Sequence, residues 1–162
     1  MNSISTSESF SLGLTLAQVY EVTGETNKAI KRYEEMLELK PDADIVANNL
    51  ASLLTDNRTD KASHTKAYNI SRRFKNSEIP QFRDTLGWAS YHIGKYAEAD
   101  SLLKSAVARL PNIPDFHYHL GMNYLAREET KLAREELEKA LKLAGDNKFS
   151  KIKEIKAVLE KI

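Results

Sequence analysis

The chain has 162 residues, of which 29% are charged, yet its formal net charge is only +1. That length can build one core without staples, and the even charge balance offers no concentrated basic face of the kind nucleic acid requires. The absence of cysteine excludes a disulfide framework and a thiolate metal site, while a cysteine-free chain tolerates reducing and oxidising compartments alike.

The first segment, residues 1–9, is polar and rich in Ser and Thr. It has neither a basic n-region nor an apolar h-region, so it is not a signal peptide; it reads as a disordered lead-in. As written, the chain is therefore expected in the cytoplasm. If it is a piece of a longer exported protein, the expectation becomes periplasmic or envelope-associated. No apolar run approaches the roughly 20 residues a bilayer span needs, so direct membrane insertion is not expected.

From Phe10 onward the chain repeats itself. Pro80-Gln-Phe-Arg-Asp-Thr-Leu-Gly-Trp88 and Pro114-Asp-Phe-His-Tyr-His-Leu-Gly-Met122 lie 34 residues apart. At the same offset Ala99 maps to Ala133, Leu103 to Leu137 and Ala106 to Ala140. Two weaker copies precede them. Residues 10–43 carry Leu16-Ala17, Tyr20, Gly24, Ala29, Tyr33 and Pro41 in the matching places. Residues 44–79 carry Leu50-Ala51, Leu54 and Ala67, with extra residues in the inner loop, Asp56 to Ser63. Four copies result: 10–43, 44–79, 80–113 and 114–145. A period of this length marks stacked supersecondary units.

This pattern of Leu-Gly, Tyr, Gly, Ala, Ala and Pro at a 34-residue period resembles the tetratricopeptide repeat. The resemblance covers about Phe10 to Gly145. It departs from the family where an aromatic usually opens the first helix, because Gly13, Ala47, Arg83 and His117 stand there; loosened packing is expected at those points. The implied fold is an all-α, right-handed solenoid of four hairpins, each a helix A followed by an antiparallel helix B. In the third copy helix A is expected over Phe82 to Ile93 and helix B over Tyr96 to Arg109. Gly94 supplies the left-handed residue that ends helix A, and Pro111 and Pro114 punctuate the join to the next hairpin. Gly87 and Gly121, facing Ala99 and Ala133, let the two helices approach.

Residues 146–162 follow as a C-terminal capping helix. Ser150 is its expected cap, and Ile152, Ile155, Val158, Leu159 and Ile162 keep helical spacing. The segment Lys148 to Lys161 is locally basic but diluted by Glu154 and Glu160, as a solvated helix face is. Solenoids need such a terminal cover. Nothing comparable covers helix A of the first copy, which is rather apolar. That asymmetry points to a longer array, or to self-association through the N-terminal hairpin.

The resemblance places helices A on the concave face, so residues on their outer side are the candidate protein-binding groove. In the second copy these are Asn48, Asn49, Ser52 and Thr55. The third offers Gln81, Asp84, Trp88, Tyr91 and His92, and the fourth Asp115, Tyr118, Met122 and Leu125. Trp88, Tyr91, Tyr118 and Met122 form an expected aromatic patch, the composition of a binding hot spot. Asn48 and Asn49 supply amides able to hold an extended peptide backbone. The bland alternative is that Trp88 and Tyr91 only pack between adjacent helices A. Some members of the family grip chaperone tails by a Lys, Asn and Arg clamp. Here Asn49 matches, but Leu14, Gln81 and Thr85 replace the basic partners, so no such clamp is expected.

Enzyme chemistry finds little footing. His117 and His119 are two apart on a helix, about 200° around its axis, and do not form an i, i+4 chelating pair. No nucleophile elbow, phosphate-cradling loop or HExxH motif occurs. Pairs such as Glu34-Glu35 and Glu135-Glu136 are read as solvating carboxylates. Catalytic, cofactor-binding and metal residues are therefore expected to be none. The wording around Asn48-Asn-Leu-Ala-Ser-Leu-Leu54 and Asp84-Thr-Leu-Gly-Trp88 also resembles the C-terminal repeats of long bacterial tetratricopeptide proteins, some associated with exopolysaccharide synthesis and exosortase sorting. The expected function is a non-enzymatic scaffold binding a protein or peptide segment, with a structural module of a longer envelope array as the alternative.

Overall fold

The structure, a computed structural model, describes residues 6–145 and 149–162. Regular structure among them is helical: α1 (Thr6–Val22), α2 (Thr26–Leu39), α3 (Asp44–Asn57), α4 (Lys61–Ser71), α5 (Pro80–His92), α6 (Tyr96–Arg109), α7 (Pro114–Ala126), α8 (Thr130–Ala144) and α9 (Ile152–Leu159), with a 3-10 turn at Arg72–Phe74. Odd-numbered helices from α1 to α7 are helices A, and the following even-numbered ones are helices B.

The elements group into two compact units, one ending at Ser71 and the other beginning at Arg72. In the first unit α1 packs on α2, α2 on α3 and α3 on α4. In the second α5 packs on α6, α6 on α7, α7 on α8, and α8 on α9. α2, α6 and α8 thus each lie between their own helix A and the next helix. The burial follows the 3.6-residue period: α2 buries Ala29, Ile30, Tyr33 and Met36, and α8 buries Ala133, Glu136, Leu137, Ala140 and Ala144.

Small residues set the A–B spacing. A methyl group on Gly87 would stand 2.8 Å from both Cγ and Cδ2 of Leu103. At Gly121 it would stand 2.8 Å from Leu137 Cγ and 3.3 Å from the Ala133 carbonyl. The close approach is therefore made chiefly against the leucines, whereas the sequence pointed to Ala99 and Ala133. Ala17 and Ala51 occupy the matching places in the first two copies and are fully buried.

In three of the four hairpins a left-handed residue follows helix A. Gly24 has φ +77° and Gly94 has φ +80°. In the fourth copy the same turn falls on Glu128, at φ +62°, a conformation unfavourable for a side chain with a Cβ. Pro80 and Pro114 open α5 and α7 at first-turn positions, where a missing N–H costs nothing.

Several boundaries differ from the sequence reading. α1 begins at Thr6, so residues 6–9 are helical and not part of a lead-in, and residues 1–5 lie outside those described. Helix A of the third copy starts at Pro80 and stops at His92. In the second copy α3 runs to Asn57 and α4 starts at Lys61, so only residues 58–60 separate them and the longer inner loop expected at Asp56 to Ser63 is not there. At α9 the N-cap is Lys151, not Ser150, and no side chain caps it; residues 146–148 are outside the described set. α9 nevertheless buries Ile155 against Leu137 and Ala140. Arg134 Nη2 ties down its end, donating to the carbonyls of Leu159 (3.3 Å) and Ile162.

Candidate protein-interaction surface

The outward faces of helices A fall into two separate sets, one in each unit. In the first unit, register places Asn48, Ser52 and Asp56 along one side of α3, four residues apart. Asn48, Asn49 and Ser52 are half-buried. The Asn48 side-chain carbonyl is buried and has no hydrogen-bond partner; its amide nitrogen donates to Asn49 Oδ1 at 3.4 Å. Asn49 in turn donates from Nδ2 to the Tyr33 hydroxyl at 3.2 Å, and that hydroxyl donates to Glu21. Burial first, then the bond to Glu21, pushes the Tyr33 phenol well above its ordinary value. Asn49 is thus committed to tying α3 to α2, and only Asn48 retains open hydrogen-bonding capacity. Ser52 donates to Asp56 Oδ2 at 3.2 Å. Thr55 is buried, with its hydroxyl donating back to the Ala51 and Ser52 carbonyls, so it offers no surface.

In the second unit the aromatic patch exists, but most of it is interior. Trp88 is only 5% exposed and Tyr118 only 2%. Trp88 stacks on Tyr91 at 4.6 Å between ring centroids and on His119 at 4.2 Å. His92 and Tyr118 meet it edge-on at 4.4 and 5.6 Å. Asp84 is buried as well, accepting bonds from His119 Nδ1 at 2.9 and 3.0 Å. Tyr118 donates to Glu154 Oε1 of α9 at 2.8 Å and lies beneath Lys151. So Trp88, Tyr118 and Asp84 join helices A to one another and to α9; the sequence placed them on the groove surface, with packing between adjacent helices A as the alternative for Trp88. What remains accessible is Gln81, which is exposed, with Tyr91, His92, Met122 and Leu125 half-buried and Asp115 exposed. Burial raises the Tyr91 phenol above its ordinary value.

The histidines carry an arrangement that spacing alone did not reveal. His117 is buried at the start of α7. Its Nδ1–H donates to Glu136 Oε2 at 2.5 Å and its Nε2–H to the Pro111 carbonyl at 2.8 Å. Two acceptors facing two ring nitrogens favour the imidazolium, and the bond to Glu136 raises the His117 pKa above 6.5. Burial alone would raise the Glu136 carboxyl, but the bonds from His117 and Lys139 outweigh it and hold the group below 4.5. Glu136 is therefore a buried ion-pair partner and not a solvating carboxylate, and the His117 position is closely packed, not loosened. No group of three or more His, Cys, Asp or Glu positioned for a metal ion occurs among the described residues.

Two cavities lie in the first unit. One of about 570 Å³ is bounded by Phe10, Gly13, Arg32, Met36, Leu39 and Lys40, among others. The second, about 430 Å³, lies around Gly24 to Lys28 and Asn57-Arg58.

Residues 85–148 match the family model described as Tetratricopeptide repeat. That stretch falls on the third and fourth hairpins. Solved structures agree on the fold. TTC0263, a thermophilic tetratricopeptide protein of Thermus thermophilus, superposes with a TM-score of 0.72 at 19% identity, covering 94% of this chain and 80% of that one. A crystal structure of the MamA protein gives 0.65 at 18% identity, covering 95% and 80%. MamA 41-end from Desulfovibrio magneticus RS-1 gives 0.66 at 15%, covering 86% and 78%. No curated protein matches the sequence. Such identities speak for the tetratricopeptide fold alone. No helix among the described residues is long and apolar enough to cross a membrane.

Proposed function

We propose that this chain is a non-enzymatic scaffold of the tetratricopeptide type that binds a segment of another protein on the outward face of a helix A, foremost that of α3. The observation that carries this reading is Asn48: its side-chain carbonyl is buried with no partner. A buried acceptor without a donor costs about 1–3 kcal/mol, and turning the half-buried side chain outward would let a backbone N–H of a bound peptide supply that donor. Half-buried Ser52 beside it adds a polar contact, and in the other unit Gln81, Tyr91 and Met122 form a set of their own, of the kind peptide grooves use. Affinity capture with wild type, Asn48→Ala and Gln81→Ala tests it, with helix content measured in parallel. Loss of the captured protein in Asn48→Ala with the fold intact is expected. Capture indifferent to both substitutions would remove the helix A faces from the function.

A second reading is favoured by the apolar surface of α1: a module that associates through its first hairpin, within a longer array or with another copy. A scaffold of this kind at a bacterial cell envelope accords with the finer sequence resemblance to exopolysaccharide- and exosortase-associated repeats. Fractionation of the native host, following the protein with an antibody, distinguishes envelope from cytoplasm.

A further inference from the structure

Leu12, Leu16 and Val19 lie on one stripe of α1 and are 60%, 42% and 49% exposed. The repeat register gives each of them three counterparts. Those of Leu12 are Val46, Phe82 and Phe116, all buried. Those of Leu16 are Leu50, Leu86 and Leu120, again all buried. Val19 corresponds to Leu53, Ala89 and Asn123, and these too are buried. The cause of that burial is visible in the fourth copy. There Leu120 packs with Ala99 and Leu103 of the preceding helix B, α6, and Asn123 Nδ2 donates to the Tyr96 carbonyl at its start. α1 thus presents the face that α3 and α7 bury beneath α2 and α6.

What fits this face must be apolar and must not bring charge against it. The 17 residues of α1 hold only two charged side chains, Glu8 and Glu21, and Glu21 is turned to Tyr33 of α2. Among the described residues, every other helix shows at most one large exposed hydrophobic side chain: Leu39 on α2, Ile45 on α3, Tyr96 on α6 and Leu132 on α8. The helix B seats at α6 and α8 are already filled by α7 and α9. The solvent side of α9 carries Lys153 and Lys156. On a second copy, therefore, the surface that matches α1 is α1 itself.

Building on the second reading above, we infer that two copies pair through α1, antiparallel, about a two-fold axis beside Leu16. This register sets Leu12 of each copy against Val19 of the other, and Ser9 against Val22, itself 89% exposed. Glu8 then faces Thr23 and Glu21 faces Phe10, so no like charges meet. A two-fold contact of this kind is self-complementary, residue i meeting j while j meets i, and it closes at the dimer. One helix per copy is a small interface, at the weak end for specific association, with dissociation in the range of about 10–100 µM.

The absence of cysteine makes the test clean. Sedimentation equilibrium of the full chain across that range reads the mass, and single-cysteine variants read the register. Expected are a reversible monomer–dimer equilibrium and a monomeric Leu16→Glu/Val19→Glu variant of unchanged helix content. Leu16→Cys should cross-link to its own kind on mild oxidation. Leu12→Cys and Val19→Cys should each stay uncrosslinked alone and cross-link when mixed. A dimer that survives the double glutamate variant, or that cross-links through a Ser101→Cys control on α6 instead, overturns the α1 pairing while leaving self-association standing. A chain that stays monomeric at about 500 µM, well above that range, overturns both and leaves the face to a helix of another protein.

Discussion

Glu128 occupies the register position of Gly94 and adopts the same left-handed backbone, at φ +62° against +80°. A residue with a Cβ loses about 1–2 kcal/mol there, so Glu128→Gly should stabilise the protein by about 1 kcal/mol in chemical denaturation, less the extra chain entropy glycine brings to the unfolded state. The His117–Glu136 pair gives a second prediction. His117 has a folded pKa above 6.5, so its contribution is complete below about 6.5 and is lost as pH rises through the folded value. Glu136 works in the opposite sense: with a folded pKa below 4.5, its contribution is present above 4.5 and lost as pH falls through the folded value. Stability should therefore decline on the alkaline side as the imidazolium loses its proton beside Glu136 and Lys139. In Glu136→Gln the His117 titration, followed by NMR, should move back toward 6.5 and the alkaline decline should shrink; an unmoved titration would sink the assignment. The sequence showed that His117 replaces an aromatic, but not that Glu136, 19 residues on, reaches it. That contact depends on the A–B approach, which side-chain spacing along one helix does not report. Trp88 and Tyr118 show the same limit. Their register on helix A was legible, whereas their burial follows from ring stacking between neighbouring helices and from the cover of α9.

Helix by helix, most of the fold was readable, because the 34-residue repeat carries both the helix pattern and its punctuation at Gly24, Gly94, Pro80 and Pro114. Boundaries were less so: α1 runs four residues further back than the polar composition suggested, and the ends of the loop expected at Asp56 to Ser63 belong to α3 and α4. Helix packing makes two substitutions informative at this scale. Gly87→Ala puts a methyl 2.8 Å from Leu103 and should cost about 1–3 kcal/mol through overpacking, where Ala17 and Ala51 show that the first two hairpins already accept a methyl. Thermal melts of Gly87→Ala that match wild type would mean that α5 and α6 separate more easily than their contacts imply. Ile155 is the only buried side chain of α9 and sits against Leu137 and Ala140. Ile155→Ala should cost about 2–5 kcal/mol if the cavity stays open. Hydrogen exchange should quicken first in α9 and then along the part of α8 it covers.

At the scale of the whole molecule, repeat proteins owe their stability to nearest-neighbour interfaces, so each exposed repeat face is either capped or used. Here α9 covers α8, α1 keeps Leu12, Leu16 and Val19 exposed, and the outward faces of helices A keep an unpaired side-chain carbonyl, a serine and half-buried aromatic groups. Fold alone does not fix which of these surfaces meets a partner; the unpaired Asn48 carbonyl is what directs the functional reading to the helix A faces. Site-specific photo-crosslinking in the native host tests that claim most directly, with a benzophenone side chain placed at Ser52, at Gln81, and at the exposed helix B positions Lys31 and Ser101 as controls. Adducts to another protein are expected from Ser52 and Gln81, and none from Lys31 or Ser101. Adducts confined to the two helix B positions would contradict a partner seated on helices A.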